Sequence, residues 1–135
     1  MSSKIIIKRK ILFGDCDPEG IVYTPRFSYF AVEAIHEALD IWLNGPGLRT
    51  LMGFDILPPA RAFSLEFLHP LTWDDEISMQ VTVDAIGEHS FSFLVEGFIS
   101  KNRMAFKANL THVCISPETK EVVKVPEKLR ELLQK

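Results

Sequence analysis

The densest run of reactive side chains is Asp15-Cys16-Asp17-Pro18-Glu19-Gly20, and it stands just ahead of a segment with helical spacing. Three kinds of chemistry are open to such a loop. Oxygen ligands at Asp15, Asp17 and Glu19, with Gly20 in sixth place, match the first half of a calcium-binding loop. Position twelve, however, is Arg26, a cation where the bidentate carboxylate belongs, and a strand pattern rather than a helix precedes the loop. A structural reading asks less: Asp, Pro and Gly are turn residues, and acidic groups ahead of a helix favour its positive end by about 0.3–1 kcal/mol. A catalytic reading uses the same geometry differently. A carboxylate held beside the unpaired backbone N–H groups of a helix start joins a base or nucleophile to donors that polarise a carbonyl and hold the oxyanion that forms.

The remaining reactive side chains are scattered. Cys16 lies between two aspartates that raise its pKa and disfavour the thiolate. His36, His69, His89 and His112 show no metal-ligand spacing. His36 falls on a charged helix stripe and reads as solvated, whereas His112 shares a strand phase with Leu110 and Cys114 and reads as a core residue. His89 sits at a hairpin turn, where it is a candidate contact for a bound substrate.

The elements around the loop are legible from periodicity. Residues 4–13 alternate, with Ile5, Ile7, Ile11 and Phe13 on one side, which predicts a half-buried strand. Thr24-Pro25 opens a helix of about 19 residues and about 28 Å, with Thr24 as the cap and Pro25 at the first helical position. Its wide apolar stripe is Phe27, Phe30, Ala31, Ala34, Ile35, Ala38, Leu39 and Trp42, and Asn44-Gly45-Pro46-Gly47 ends it. After a loop through Pro58-Pro59, four β stretches follow: Phe63 to Phe67, Ile77 to Ala85, Phe91 to Ile99, and Met104 to about Ile115. The short connectors Gly87-Glu88-His89 and Lys101-Asn102-Arg103 imply antiparallel hairpins. A short amphipathic segment from Pro126, with Leu129, Leu132 and Leu133, closes the chain. Off-phase apolar residues such as Leu94, Phe98, Val113 and Ile115 suggest that the second face of the sheet meets another subunit.

Whole-chain properties narrow the setting. At 135 residues, the length fits one domain over 1–135. Fifteen Lys and Arg against eighteen Asp and Glu give a net charge of −3, which supplies no electrostatic footprint for nucleic acid or an anionic membrane. Two cysteines make no disulfide framework, the N-terminus has no apolar signal region, and no apolar run spans a bilayer, so a cytoplasmic protein is expected.

The segment Phe13-Gly14-Asp15-Cys16-Asp17-Pro18-Glu19-Gly20-Ile21-Val22-Tyr23, followed by Pro25, resembles the active-site segment of hotdog-fold 4-hydroxybenzoyl-CoA thioesterases. A weaker echo follows at Phe67-Leu68-His69-Pro70, with Asp74-Asp75 downstream. The resemblance implies an α+β hotdog fold, one twisted antiparallel sheet wrapped around a long central helix, forming a homodimer or homotetramer. It implies hydrolysis of acyl-CoA to a carboxylic acid and free CoA, with no cofactor and no metal. Asp17 would be the nucleophile or the general base, and the backbone N–H of Thr24 would polarise the thioester carbonyl. Substrate contacts are expected at Gly20, Tyr23, Pro59, Ala60, His89 and Ser90. Where the family has a basic cluster for the CoA nucleotide, this chain has Gly87-Glu88-His89 before Ser90-Phe91. The reading from a different class is a non-catalytic acyl-CoA or acyl-carrier-protein binding module on the same scaffold. The presence of Asp17 tells against it.

Overall fold

Period-two patterning becomes strand and period-3.6 patterning becomes helix across residues 3–135, which a computed structural model describes. The order is β1 (Ile5–Lys10), a 3₁₀ turn (Phe13–Asp15), α1 (Arg26–Trp42), α2 (Gly47–Met52), β2 (Ala60–Phe67), β3 (Glu76–Ile86), β4 (Ser90–Ser100), β5 (Arg103–Val113) and α3 (Glu127–Leu133). The five strands form one antiparallel sheet in the order β1-β3-β4-β5-β2. Two-residue and three-residue hairpins join β3, β4 and β5, so the sheet grows outward from local pairings and β2 ends on an open edge.

All eight residues of the predicted apolar stripe of α1 are buried, while Ile41, off the stripe, is exposed. They pack on Ile77, Met79, Val81, Phe91, Phe93, Val95, Phe106 and Ala108 from the three central strands. Phe27 stands edge-on to Phe30, Phe67 and Phe106 at 5.2–5.9 Å, which ties the start of α1 to one end of the sheet. Gly97 makes this packing possible, because a Cβ there would lie 2.3 Å from the Phe106 ring.

Several expectations are corrected. β1 stops at Lys10, and Phe13 is 78% exposed against Trp73 rather than inward with Ile11, since the 3₁₀ turn rotates the chain away from the sheet. The helix begins one residue later than its cap signal predicts: Pro25 is the cap residue, Arg26 the first helical residue, and the Thr24 hydroxyl makes no capping bond. A turn closed by Arg26 N–H to Tyr23 C=O (2.7 Å) occupies that place. Helix α2 lies inside the segment read as loop. Gly47 admits it, because a Cβ there would lie 2.7 Å from Leu39 in α1. In β3 the alternation breaks at a bulge between Val83 and Ala85, so Ile86, not Ala85, faces the core. β5 ends at Val113, with Ile115 bridging Leu57 and Val122 beyond it. Leu94, Phe98, Val113 and Ile115 are each half-buried.

Candidate active site

The reactive loop is built as a pinned arch between β1 and α1. Its keystone is Asp15, whose side chain is buried and fully engaged. Asp15 Oδ2 accepts from Arg9 Nη1 (2.7 Å) and from the Leu12 N–H (2.8 Å), and Oδ1 accepts from Arg26 Nε (2.8 Å). Arg9 lies over the Phe30 ring (4.3 Å) and also donates to Glu33 (3.0 Å), while Arg26 lies over Tyr29. Desolvation opposes the charge on Asp15, but hydrogen bonds from Arg9, Leu12 and Arg26 outweigh it and bring its pKa down to about 2. Arg9 Nη2 also reaches Oδ1 (3.4 Å), so both oxygens of this carboxylate are already taken twice over. The sequence does carry one signal for Arg9 as its partner: it falls on the apolar phase of β1, with Ile5, Ile7 and Ile11, where a cation needs a counter-charge.

Asp17 is the contrasting case. It is half-buried, forms no ion pair among the described residues, and uses Oδ1 for one bond, from the Glu19 N–H at 2.9 Å. The second oxygen stays available. The backbone around it is closed tightly, with Asp17 N–H to Ile21 C=O and Gly20 N–H to Asp17 C=O, both 2.9 Å. Gly20 adopts φ +86°, the left-handed region that a side chain resists, so the turn requires glycine. Thr72 Oγ1 donates to the Gly20 carbonyl (2.7 Å) and Val22 N–H to the Leu71 carbonyl (2.8 Å), anchoring the arch to the segment before β3. The thiol of Cys16 is pushed up, chiefly by burial and further by the charges of Asp15, Asp17 and Asp75.

Beyond the arch, Tyr23 N–H donates to the Asp15 carbonyl at 3.0 Å and Arg26 N–H to the Tyr23 carbonyl, whereas the N–H of Thr24 between them has no partner among the described residues. Thr24 is exposed and lines a groove of about 270 Å³ with Ile21, Phe27, Phe67, Leu68 and His69. A donor at the mouth of a helix, on the same loop as a carboxylate with a free oxygen and joined to it through Ile21, which bonds Asp17 N–H and lines the groove, suits an electrophilic carbonyl.

The other anticipated residues lie elsewhere. Ala60 opens β2 directly after Pro59, and Ser90 opens β4 directly after His89. The row Ala60, His112, Phe91 runs across the sheet at that end. The row Phe67, Phe106, Gly97 marks the opposite end, where Thr24 lies. Seven residues of β2 separate the two rows, about 24 Å. One chain therefore groups Asp17, Gly20, Tyr23 and Thr24 at one end and Pro59, Ala60, His89 and Ser90 at the other. Pro58 and Pro59 supply no N–H, and their carbonyls are taken by His112 Nδ1 (2.8 Å) and Val113 N–H (3.1 Å). His89 Nε2 lies 3.5 Å from Glu88, and its Nδ1 is buried without a partner among the described residues.

At the second end lies a cavity of about 460 Å³ that periodicity did not disclose, since it is assembled from α1, α2 and the end of β5. His36 lines it half-buried, not solvated as its stripe suggests, and His112 lines it from the sheet.

The sequence profile of the thioesterase-like superfamily matches residues 11–133. A 1,4-dihydroxy-2-naphthoyl-CoA hydrolase of Microcystis aeruginosa is 29% identical over 129 residues, covering 93% of this chain and 90% of its own. A thioesterase superfamily structure from Jannaschia sp. CCS1 superposes with TM-score 0.87 at 25% identity, covering 97% of this chain and 91% of that one. The 1,4-dihydroxy-2-naphthoyl-CoA thioesterase structure from Synechocystis shares the fold at TM-score 0.84 and 20% identity, covering 97% and 96%.

Proposed function

The chain belongs to the thioesterase-like superfamily, and from that premise we propose that it is an acyl-CoA thioesterase working through Asp17 and the main-chain N–H of Thr24. The observation that carries the assignment is the pairing of a carboxylate free of cations, Asp17, with an unpaired amide, Thr24 N–H. The Thr24 amide receives the thioester carbonyl oxygen and the negative charge that grows on it. Asp17 then acts in one of two balanced ways. It adds to the carbonyl, expelling CoA thiolate and leaving a mixed anhydride that water hydrolyses, or it takes a proton from the water that adds. Either route consumes one water and yields a carboxylic acid and free CoA. Gly20 and Tyr23 border the reacting group, and Pro59, Ala60, His89 and Ser90 contact the rest of the substrate. The relatives' printed substrate makes 1,4-dihydroxy-2-naphthoyl-CoA the first compound to try.

The separation of the two residue groups supports a homodimer. β2 is an eight-residue edge strand with Phe63 and Phe67 exposed and its outer backbone unpaired. Antiparallel pairing of β2 with the same strand of a second copy sets the Pro59-Ala60 end of one chain beside the Phe67-Leu68 end of the other. The site is then completed between protomers, and two such dimers joined give a homotetramer. The setting is cytoplasmic, in keeping with Cys16 and Cys114 as free thiols. No helix among the described residues is long and apolar enough to cross a membrane.

A thiol-release assay over aromatic and aliphatic acyl-CoA substrates tests the function. Turnover of at least one is expected. Stoichiometric binding of acyl-CoA without release of thiol is the result that favours a binding module instead.

A further inference from the structure

Arg26 stands where a calcium loop carries its bidentate carboxylate, and the fold uses this cation differently. It is the first residue of α1, and it bonds through both its side chain and its main chain. Nε donates to Asp15 Oδ1 at 2.8 Å, while the guanidinium lies 5.1 Å from the centre of the Tyr29 ring. The main-chain N–H donates to the Tyr23 carbonyl at 2.7 Å. Asp15 closes the circuit from the other side, since its own carbonyl accepts from the Tyr23 N–H at 3.0 Å. Both main-chain polar groups of Tyr23 are thereby held by one ion pair, Asp15 with Arg26. The Tyr23 carbonyl and the Thr24 N–H belong to a single peptide unit, which is planar and trans, so the two point in opposite directions. Fixing the carbonyl on the Arg26 N–H therefore turns the Thr24 N–H away from the first turn of α1. The same ion pair sets a second coordinate. Asp15 lies two residues before Asp17 and Arg26 two residues after Thr24, so their bond joins the loop that carries the carboxylate to the helix start that carries the donor. Arg9 braces the junction: it reaches both oxygens of Asp15, donates to Glu33 on α1 and covers the Phe30 ring.

We propose that Arg26 is a positioning residue for thioester hydrolysis: by holding Asp15 and Tyr23 together, it fixes the direction of the Thr24 N–H and its separation from the Asp17 carboxylate. The proposal rests on the thioesterase reading above and adds the residue that aligns its two groups. Arg26 touches no reacting atom and acts through the Tyr23–Thr24 peptide unit. An N–H of this kind lowers the barrier only when aimed at the point where negative charge develops, so misdirecting it slows the reaction without weakening the hold on the rest of the substrate. Arginine suits the task, because a planar guanidinium bonded through Nε and laid on a ring has a fixed direction that an ammonium group lacks.

The test is steady-state hydrolysis of 1,4-dihydroxy-2-naphthoyl-CoA by Arg26→Met, whose stem still covers Tyr29 but which donates nothing to Asp15. Its kcat is expected to fall about tenfold or more, with KM within about twofold of wild type. Arg26→Lys keeps a cation beside Asp15 without the fixed direction, and its kcat is expected about threefold below wild type. Wild-type kcat in a folded Arg26→Met overturns the proposal, and so does a loss carried by KM alone. The same substitution is then made in Thr24→Pro, where the donor is already gone. A residue that acts through that donor has nothing left to position, so the further loss is expected to be under about twofold. The full loss repeated in this background overturns the proposal, because a purely structural role or a direct effect of the charge produces that result. Should Arg26→Met not fold, Arg26→Lys carries the comparison, with its loss expected in the wild-type background and absent in Thr24→Pro. A readout free of catalysis is the ¹⁵N–¹H residual dipolar coupling of Thr24, compared between wild type and Arg26→Lys. It is expected to change while the couplings within α1 hold, and an unmoved Thr24 coupling overturns the proposal. Failure of the hydrolase reading looks different: the wild type turns over no acyl-CoA, yet the Thr24 coupling still changes in Arg26→Lys.

Discussion

Two residues apart on one loop, Asp15 and Asp17 have opposite fates because their oxygens are used differently. Asp15 spends both on Arg9, Arg26 and the Leu12 N–H, and so holds β1, the loop and the first turn of α1 in one arrangement. Its pKa of about 2 lies below the ordinary 3.8, so on acidification the unfolded chain takes up the proton first. The stabilisation is full above about pH 4 and vanishes on the way down to about pH 2, and it amounts to about 2 kcal/mol at neutral pH. Asp15→Asn is expected to lower stability by about that amount in urea unfolding at pH 7, and to lose the difference from wild type near pH 2. A variant as stable as wild type at pH 7 contradicts the keystone role. Asp17 has no such partners, and its replacement by Asn is expected to leave the unfolding midpoint nearly unchanged.

At the scale of the element, the start of α1 decides the chemistry. Because the Thr24 hydroxyl caps nothing, Thr24→Ala is expected to change stability by less than about 0.5 kcal/mol, not the roughly 1 kcal/mol of a lost cap. Its rate should also stay close to wild type, since the amide donor survives. Thr24→Pro deletes that donor, and for a protein shown to be folded by circular dichroism, kcat is expected to fall about 10²–10³-fold. Equal inactivity in Thr24→Ala transfers the role to the hydroxyl and contradicts the amide assignment. The stripe of α1, the hairpin strands and the Asp17 loop were legible in sequence because each is a local pattern: a period, a turn signal or a contiguous motif. Helix α2 was not, because Gly45-Pro46-Gly47 reads as breakers and only the close approach of Gly47 to Leu39 shows why a glycine opens a helix there. The Arg9–Asp15–Arg26 cluster and the His36–His112 cavity were hidden for a related reason. Their members lie 6 to 76 residues apart in sequence and meet only through the folded chain.

For the molecule as a whole, several exposed apolar side chains fall on the loop and its flanks, Leu12, Phe13, Tyr23, Phe67, Leu68 and Trp73 each at least 44% exposed, while Ile6, Tyr29, Ile41 and Val122 are exposed elsewhere. Exposed apolar side chains near an open β edge are in keeping with the proposed dimer. Sedimentation is expected to give a dimer or tetramer at micromolar concentration, and a stable monomer contradicts a site completed between protomers. The central claim, hydrolysis of a thioester by Asp17, is tested most directly by following free thiol from 1,4-dihydroxy-2-naphthoyl-CoA with the wild type and Asp17→Asn side by side. The account predicts steady turnover by the wild type and a kcat at least about 10²-fold lower for the folded variant, because the amide neither attacks a carbonyl nor accepts a proton from water. Wild-type turnover in Asp17→Asn would contradict it.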